Sequence, residues 1–126
     1  MATRVVERAS LLELMERGAV HLFDVREPHE VAATGPLRHG RVTATNVPLG
    51  RVQGGALALP EQEFRAQFGV DKPGQDDLVV FSCRSGARSE RACQHAIVAN
   101  GFKNVANYKG SANDWFAAPP PPPATK

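Results

Sequence analysis

The apolar run Leu78-Val79-Val80-Phe81 leads through Ser82 into Cys83-Arg84-Ser85-Gly86-Ala87-Arg88, and a helical segment follows to Asn100. This strand–loop–helix order constrains the fold more than any other feature. The same alternation recurs along the chain, and strands that alternate with helices imply a parallel sheet with helices on both faces. In such sheets, sites form outside the carboxyl ends of the strands. Cys83 lies at one such end and Asp24-Val25-Arg26 at another, so the pattern brings them together.

The remaining elements follow from periodicity and punctuation. Val5-Val6 reads as a short first strand. Ser10 with Glu13 has the form of a capping box, Leu11, Leu12, Leu14 and Met15 supply an apolar face, and Gly18 is a stop. Residues 20–24 read as a buried strand, and 27–33 as a helix with Pro28 in its first turn and Gly35-Pro36 beyond its end. Residues 43–47 form a short strand. Residues 49–59 hold three glycines and little periodicity, which predicts a loop. Pro60 starts a helix to Phe68, Asp71-Lys72-Pro73-Gly74 is a turn, Val105 lies in a last strand, and 111–116 is a last helix.

Composition bounds the function. A chain of 126 residues fits one domain and can bury a core without staples. The net charge is only +2, with no basic run and few aromatics, which argues against nucleic-acid binding. No apolar stretch approaches a membrane span. Two cysteines, Cys83 and Cys93, make no disulfide framework and argue for a reducing compartment. With no secretory core at the N-terminus and acidic Glu7 and Glu13 against a mitochondrial presequence, the expectation is a cytoplasmic protein. His21, His29, His39 and His95 lack metal-ligand spacing, so neither a metal nor another cofactor is expected.

The loop itself carries chemistry. A cysteine between a strand end and a helix N-terminus meets backbone N–H groups and the positive helix end, which favour thiolate over thiol. Ser85 and Ser89 add hydroxyls, and Ser89 serves equally well as a helix cap. Gly86 gives the freedom that turns amides inward, and Ala87 completes the cradle. Arg84 projects to steer anions, and Arg88 closes the loop. Cys93, inside the helix, reads as core. Asp24 and Arg26 read as a structural ion pair.

Three segments carry a family resemblance. The loop from Cys83 to Arg88, after its apolar strand, resembles the active-site loop of the rhodanese family of sulfurtransferases. Leu22-Phe23-Asp24-Val25-Arg26-Glu27-Pro28, with Glu30 beyond, is similar to that family's Asp-Val-Arg-x-x-x-Glu segment. Asn107-Tyr108-Lys109-Gly110, with Trp115 following, resembles the C-terminal segment of small single-domain thiosulfate sulfurtransferases, the thiosulfate:glutathione enzymes among them. The resemblance spans residues 4–117. One stretch departs: His39-Gly40-Arg41-Val42-Thr43-Ala44-Thr45-Asn46 has a threonine where the family has a second glycine, and residues 35–40 look inserted.

The resemblance implies an α/β, small doubly wound rhodanese-like domain over 1–117, with a mainly parallel central sheet flanked by helices. It implies transfer of sulfane sulfur from thiosulfate, through a Cys83 persulfide, to glutathione, another thiol or cyanide. Arg88 would orient the donor dianion, with Arg84, Ser85, Gly86 and Ala87 forming the cradle. Lys109 would line the entrance and meet glutathione carboxylates, or be a solvated loop residue. Asp24, Arg26 and Ser89 would brace the site, with Arg26 satisfying backbone carbonyls or Glu30. Trp115 would pack the last helix.

Alternatives remain open: a non-catalytic persulfide carrier or scaffold, or a cysteine phosphatase or arsenate reductase. The last ranks below sulfur transfer, because four residues separate Cys83 from Arg88 and such enzymes use a longer loop. All versions that transfer sulfur require an ionised sulfur that dissolved substrates can reach. The tail, 118–126, holds five successive prolines; it reads as polyproline II or a disordered end, or, more sharply, as a ligand for an SH3 or WW module.

Overall fold

A computed structural model describes residues 3–117. The proline run lies outside the described residues, and so does the SH3 or WW reading attached to it. The chain runs β1 (Arg4–Val6), α1 (Arg8–Glu16), β2 (His21–Asp24), α2 (Pro28–Thr34), β3 (Arg38–His39), β4 (Val42–Thr43), β5 (Thr45–Asn46), α3 (Leu49–Gln53), a 3-10 turn (Ala56–Ala58), α4 (Glu61–Phe68), β6 (Val79–Ser82), α5 (Ala87–Val98), β7 (Val105–Tyr108) and α6 (Ser111–Ala117). Five strands form one parallel sheet in the order β1-β7-β6-β2-β5. The doubly wound α/β architecture expected from the alternation is the one observed.

The central strands are buried on both faces, as parallel strands under helices must be. Their side chains divide by parity. Phe23, Val79, Phe81, Cys83 and Val105 join Val52, Phe64, Ala92 and Ala96 in one core. Leu22, Val80, Ala106 and Tyr108 join Leu11, Met15, Leu37 and Trp115 in the other. Phe64 of α4 meets Phe23 edge-on, with ring centroids 6.0 Å apart. Burying such a side chain contributes about 1.5–3 kcal/mol. In the register, Asp24 lies beside Ser82 and Phe81 beside Asn107, which sets Cys83 one residue past the carboxyl edge.

Four local expectations change. Helix α1 begins at Arg8 after Glu7, not at Ser10, and Ser10 caps nothing. The extra turn places Arg8 over the Trp115 ring, 5.4 Å from its centroid. The capping box sits instead at α2, where Glu27 and Glu30 cap each other's backbone and Pro28 occupies the first turn. Residues 49–59 are not one loop: Leu49–Gln53 is helical and Ala56–Ala58 is a 3-10 turn, with Val52, Ala56 and Leu57 buried. Gly54 and Gly55 stop α3 after five residues, too short for periodicity to show. The expected strand over 43–47 is two short strands, and β4 pairs with β3 in an antiparallel hairpin outside the main sheet. Residues 35–40 build much of that hairpin and bury Leu37.

Candidate active site

Strand β6 delivers Cys83 to the carboxyl edge, and α5 begins four residues later at Ala87. Gly86 caps α5 with φ +97°, a conformation natural to glycine. A Cβ there would also stand 2.4 Å from the Lys109 carbonyl oxygen. With that conformation, the Gly86 N–H donates to Cys83 Sγ at 3.1 Å. The Ser89 hydroxyl lies 3.4 Å from the same sulfur. Burial pushes the Cys83 thiol up. The Ser89 hydroxyl and the amides of Ser89, Gly86 and Ser85 more than offset it, and the thiol falls below its ordinary value.

Carbonyls are turned away from the sulfur because α6 takes them. The Ala112 N–H donates to the Cys83 carbonyl at 2.9 Å, and the Asn113 N–H to the Arg84 carbonyl at 3.0 Å. Ser111 completes this anchor: its Oγ accepts from the Cys83 N–H at 3.0 Å and donates to the Tyr108 carbonyl at 2.7 Å. Ser111 holds φ +56°, an uncommon backbone for a residue with a side chain.

Ser89 is not the helix cap; Gly86 is. Ser89 is buried in the first turn of α5, and its single hydroxyl proton is shared between Asn107 Oδ1 at 2.6 Å and Cys83 Sγ at 3.4 Å. Asn107 Nδ2 donates to the Gly86 carbonyl at 3.2 Å, so its oxygen faces Ser89. Sequence reasoning missed the parts played by Asn107 and Ser111. The available signals were an amide inside an otherwise apolar four-residue strand, and a serine opening a helix.

A second layer runs beside the loop. Asp24 and Arg26 form a buried pair: Nη2 to Oδ2 is 2.7 Å, and Nε reaches both carboxylate oxygens at 3.0 and 3.1 Å. Arg26 Nη1 also donates to Thr34 Oγ1 at 3.0 Å and to the Glu30 carbonyl at 3.4 Å. The Glu30 carboxylate belongs to Arg88, through two bonds of 2.7 and 2.9 Å. That guanidinium, first among the causes, holds the Glu30 carboxyl down at about 2 against some opposition from burial. Glu30 in turn holds Arg88 firmly charged. Arg88 was expected to orient a donor dianion; two of its N–H groups are taken by Glu30.

Cys83 is 1% exposed, which contradicts the expectation of an open sulfur. Arg84 and Ser85, the next two residues of the loop, are exposed. A cavity of about 350 Å³ opens beside them, bounded by Arg84, Asn113 and Phe116. Lys109 is exposed and does not line this cavity, and Ala87 is exposed at the start of α5. Cys93 is fully buried, and its thiol is pushed up by burial, with the charges of Glu90 and Cys83 adding to the effect. Among the described residues no group of His, Cys, Asp and Glu could hold a metal, and no helix is long and apolar enough to cross a membrane.

Comparison with known proteins adds to this geometry. A human protein named thiosulfate:glutathione sulfurtransferase is 32% identical over 113 residues, 88% of this chain and 91% of the relative. A mitochondrial thiosulfate sulfurtransferase of Saccharomyces cerevisiae is 36% identical over 96 residues, 76% of this chain and 60% of the relative. The solved structure of a human single-domain sulfurtransferase superposes with TM-score 0.83 at 30% identity, covering 94% of this chain and all of that one. The chain spans only 61% and 60% of the Schizosaccharomyces pombe and S. cerevisiae relatives, and both carry "mitochondrial" in their names. Those names overturn the cytoplasmic expectation, which rested on absent features, and an absent feature selects no compartment. The family model for the rhodanese-like domain matches residues 7–118, and with that match and these relatives the chain belongs to the rhodanese family.

Proposed function

We propose that the chain is a sulfurtransferase that moves sulfane sulfur from thiosulfate through a persulfide on Cys83 to a thiol such as glutathione. The single observation behind this is the convergence on Cys83 Sγ of the Gly86 amide and the Ser89 hydroxyl, at a sulfur whose proton is held loosely. The thiolate attacks the outer sulfur of thiosulfate. The sulfur–sulfur bond breaks, and sulfite leaves with the bonding pair. The amides then face the persulfide charge. Asp24, Arg26 and Ser89 hold the loop and its neighbours, and Arg88 supplies fixed positive charge through its pair with Glu30. Arg84, Ser85, Gly86 and Ala87 form the cradle. The names of the human relative and of a second S. cerevisiae relative support glutathione as acceptor.

One observation favours a second reading. A sulfur 1% exposed suits a carrier that holds a persulfide and releases it only to a partner that opens the loop. Intact mass after thiosulfate treatment separates the two. Gain of one sulfur atom on Cys83, discharged within seconds to minutes by glutathione, is the expected outcome. A stable adduct that resists glutathione supports the carrier, and no adduct removes both. Cys83→Ser should abolish the mass gain, and Cys93→Ala should retain it.

A further inference from the structure

The cavity beside the loop is built from α2 and α6. Ala33, Ala112 and Phe116 supply apolar surface, and Arg84, Asn113 and Thr34 supply polar groups. At about 350 Å³ it falls in the size range of small-molecule pockets and is far larger than a thiosulfate ion. Arg84, which follows Cys83, lines it, and so does Ala112, whose amide holds the Cys83 carbonyl at 2.9 Å.

Its charges do not balance. Arg26 is neutralised by Asp24, and Glu30 by Arg88. Arg84 is exposed and makes no ion pair among the described residues, so the cavity keeps one positive charge. Phe116, also in the lining, is 42% exposed, with the Arg26 guanidinium 5.9 Å from its ring centroid. An aromatic ring and an unpaired guanidinium in one cavity suit a ligand with a carbon chain and an anionic end. Thiosulfate has no carbon chain and gains nothing from Phe116.

We propose that this cavity is the acceptor subsite, taking a low-molecular-weight thiol that carries a carboxylate, with the carboxylate on Arg84 and the chain against Phe116 and Ala33. The proposal rests on the sulfurtransferase reading above and places carboxylate recognition on Arg84 rather than Lys109. The acceptor thiolate attacks the outer sulfur of the Cys83 persulfide. The bond between that sulfur and Sγ breaks, its electron pair returns to Sγ, and the acceptor leaves as a persulfide. No outside oxidant or reductant is needed.

The test uses the full chain, loaded with thiosulfate and discharged in single turnover by 3-mercaptopropionate or by 2-mercaptoethanol, thiols of similar size with and without a carboxylate. The unsubstituted protein should prefer the carboxylate thiol. Arg84→Glu, and separately Phe116→Glu, should cut that preference about tenfold, since a like charge now meets the ligand. Both positions are exposed, so the variants keep the core intact. No preference in the unsubstituted protein, or a preference unmoved by Arg84→Glu, overturns the subsite. Absence of any sulfur on Cys83 before acceptor is added overturns the sulfurtransferase reading instead.

Discussion

At Cys83 two opposing effects meet, and hydrogen bonding wins. Burial alone would keep the proton on the sulfur; the Ser89 hydroxyl and three amides reverse the balance. Ser89→Ala should therefore move the pH midpoint of persulfide formation in the alkaline direction and slow the reaction at neutral pH. A stopped-flow pH profile checks this, and an unmoved midpoint would show that the amides act without the hydroxyl. The same change leaves Asn107 Oδ1 without its donor, a cost of about 1–3 kcal/mol in urea unfolding. Ser111→Ala acts through the backbone: it strips the acceptor from the Cys83 N–H and should destabilise by a similar amount, about 1–3 kcal/mol.

Between elements, two contacts set the cradle's shape. Gly86 lets α5 begin where the Lys109 carbonyl passes, and Gly86→Ala must move one of them. We expect a loss of about 1–3 kcal/mol in denaturant midpoint analysis and a loop that no longer aims its amide at the sulfur. The Glu30–Arg88 pair ties α2 to α5. Glu30 titrates at about 2 when folded against an ordinary 4.5, so the unfolded chain binds its proton first as pH falls. The stabilisation is fully present above about pH 4.5 and fades toward pH 2. Thermal unfolding across that window should fall more steeply for the unsubstituted protein than for Glu30→Gln; parallel curves would show that the pair contributes nothing.

For the whole molecule, the parallel sheet and the place of the site were legible in the sequence, because both are local consequences. Apolar runs alternating with helical segments dictate parallel strands, and Cys83 follows one run directly. Helix α3 escaped notice, because five residues ended by glycines show no period. Cys93 lies in the core, as its place inside the helix implied. Native-state alkylation should modify Cys83, whose thiol is lowered by its hydrogen bonds, before Cys93, whose thiol burial raises, as peptide mass mapping would show. The sequence by itself determined the fold class and the strand–loop–helix setting of Cys83. Tertiary structure alone decided that Arg88 answers Glu30 across 58 residues, that Ser111 answers the Cys83 amide across 28, and that Asn107 answers Ser89 across 18. It also decided that the sulfur is covered. Those partners meet only through strand register and helix packing, which depend on the whole core at once, whereas a local pattern specifies only the element in which each residue sits.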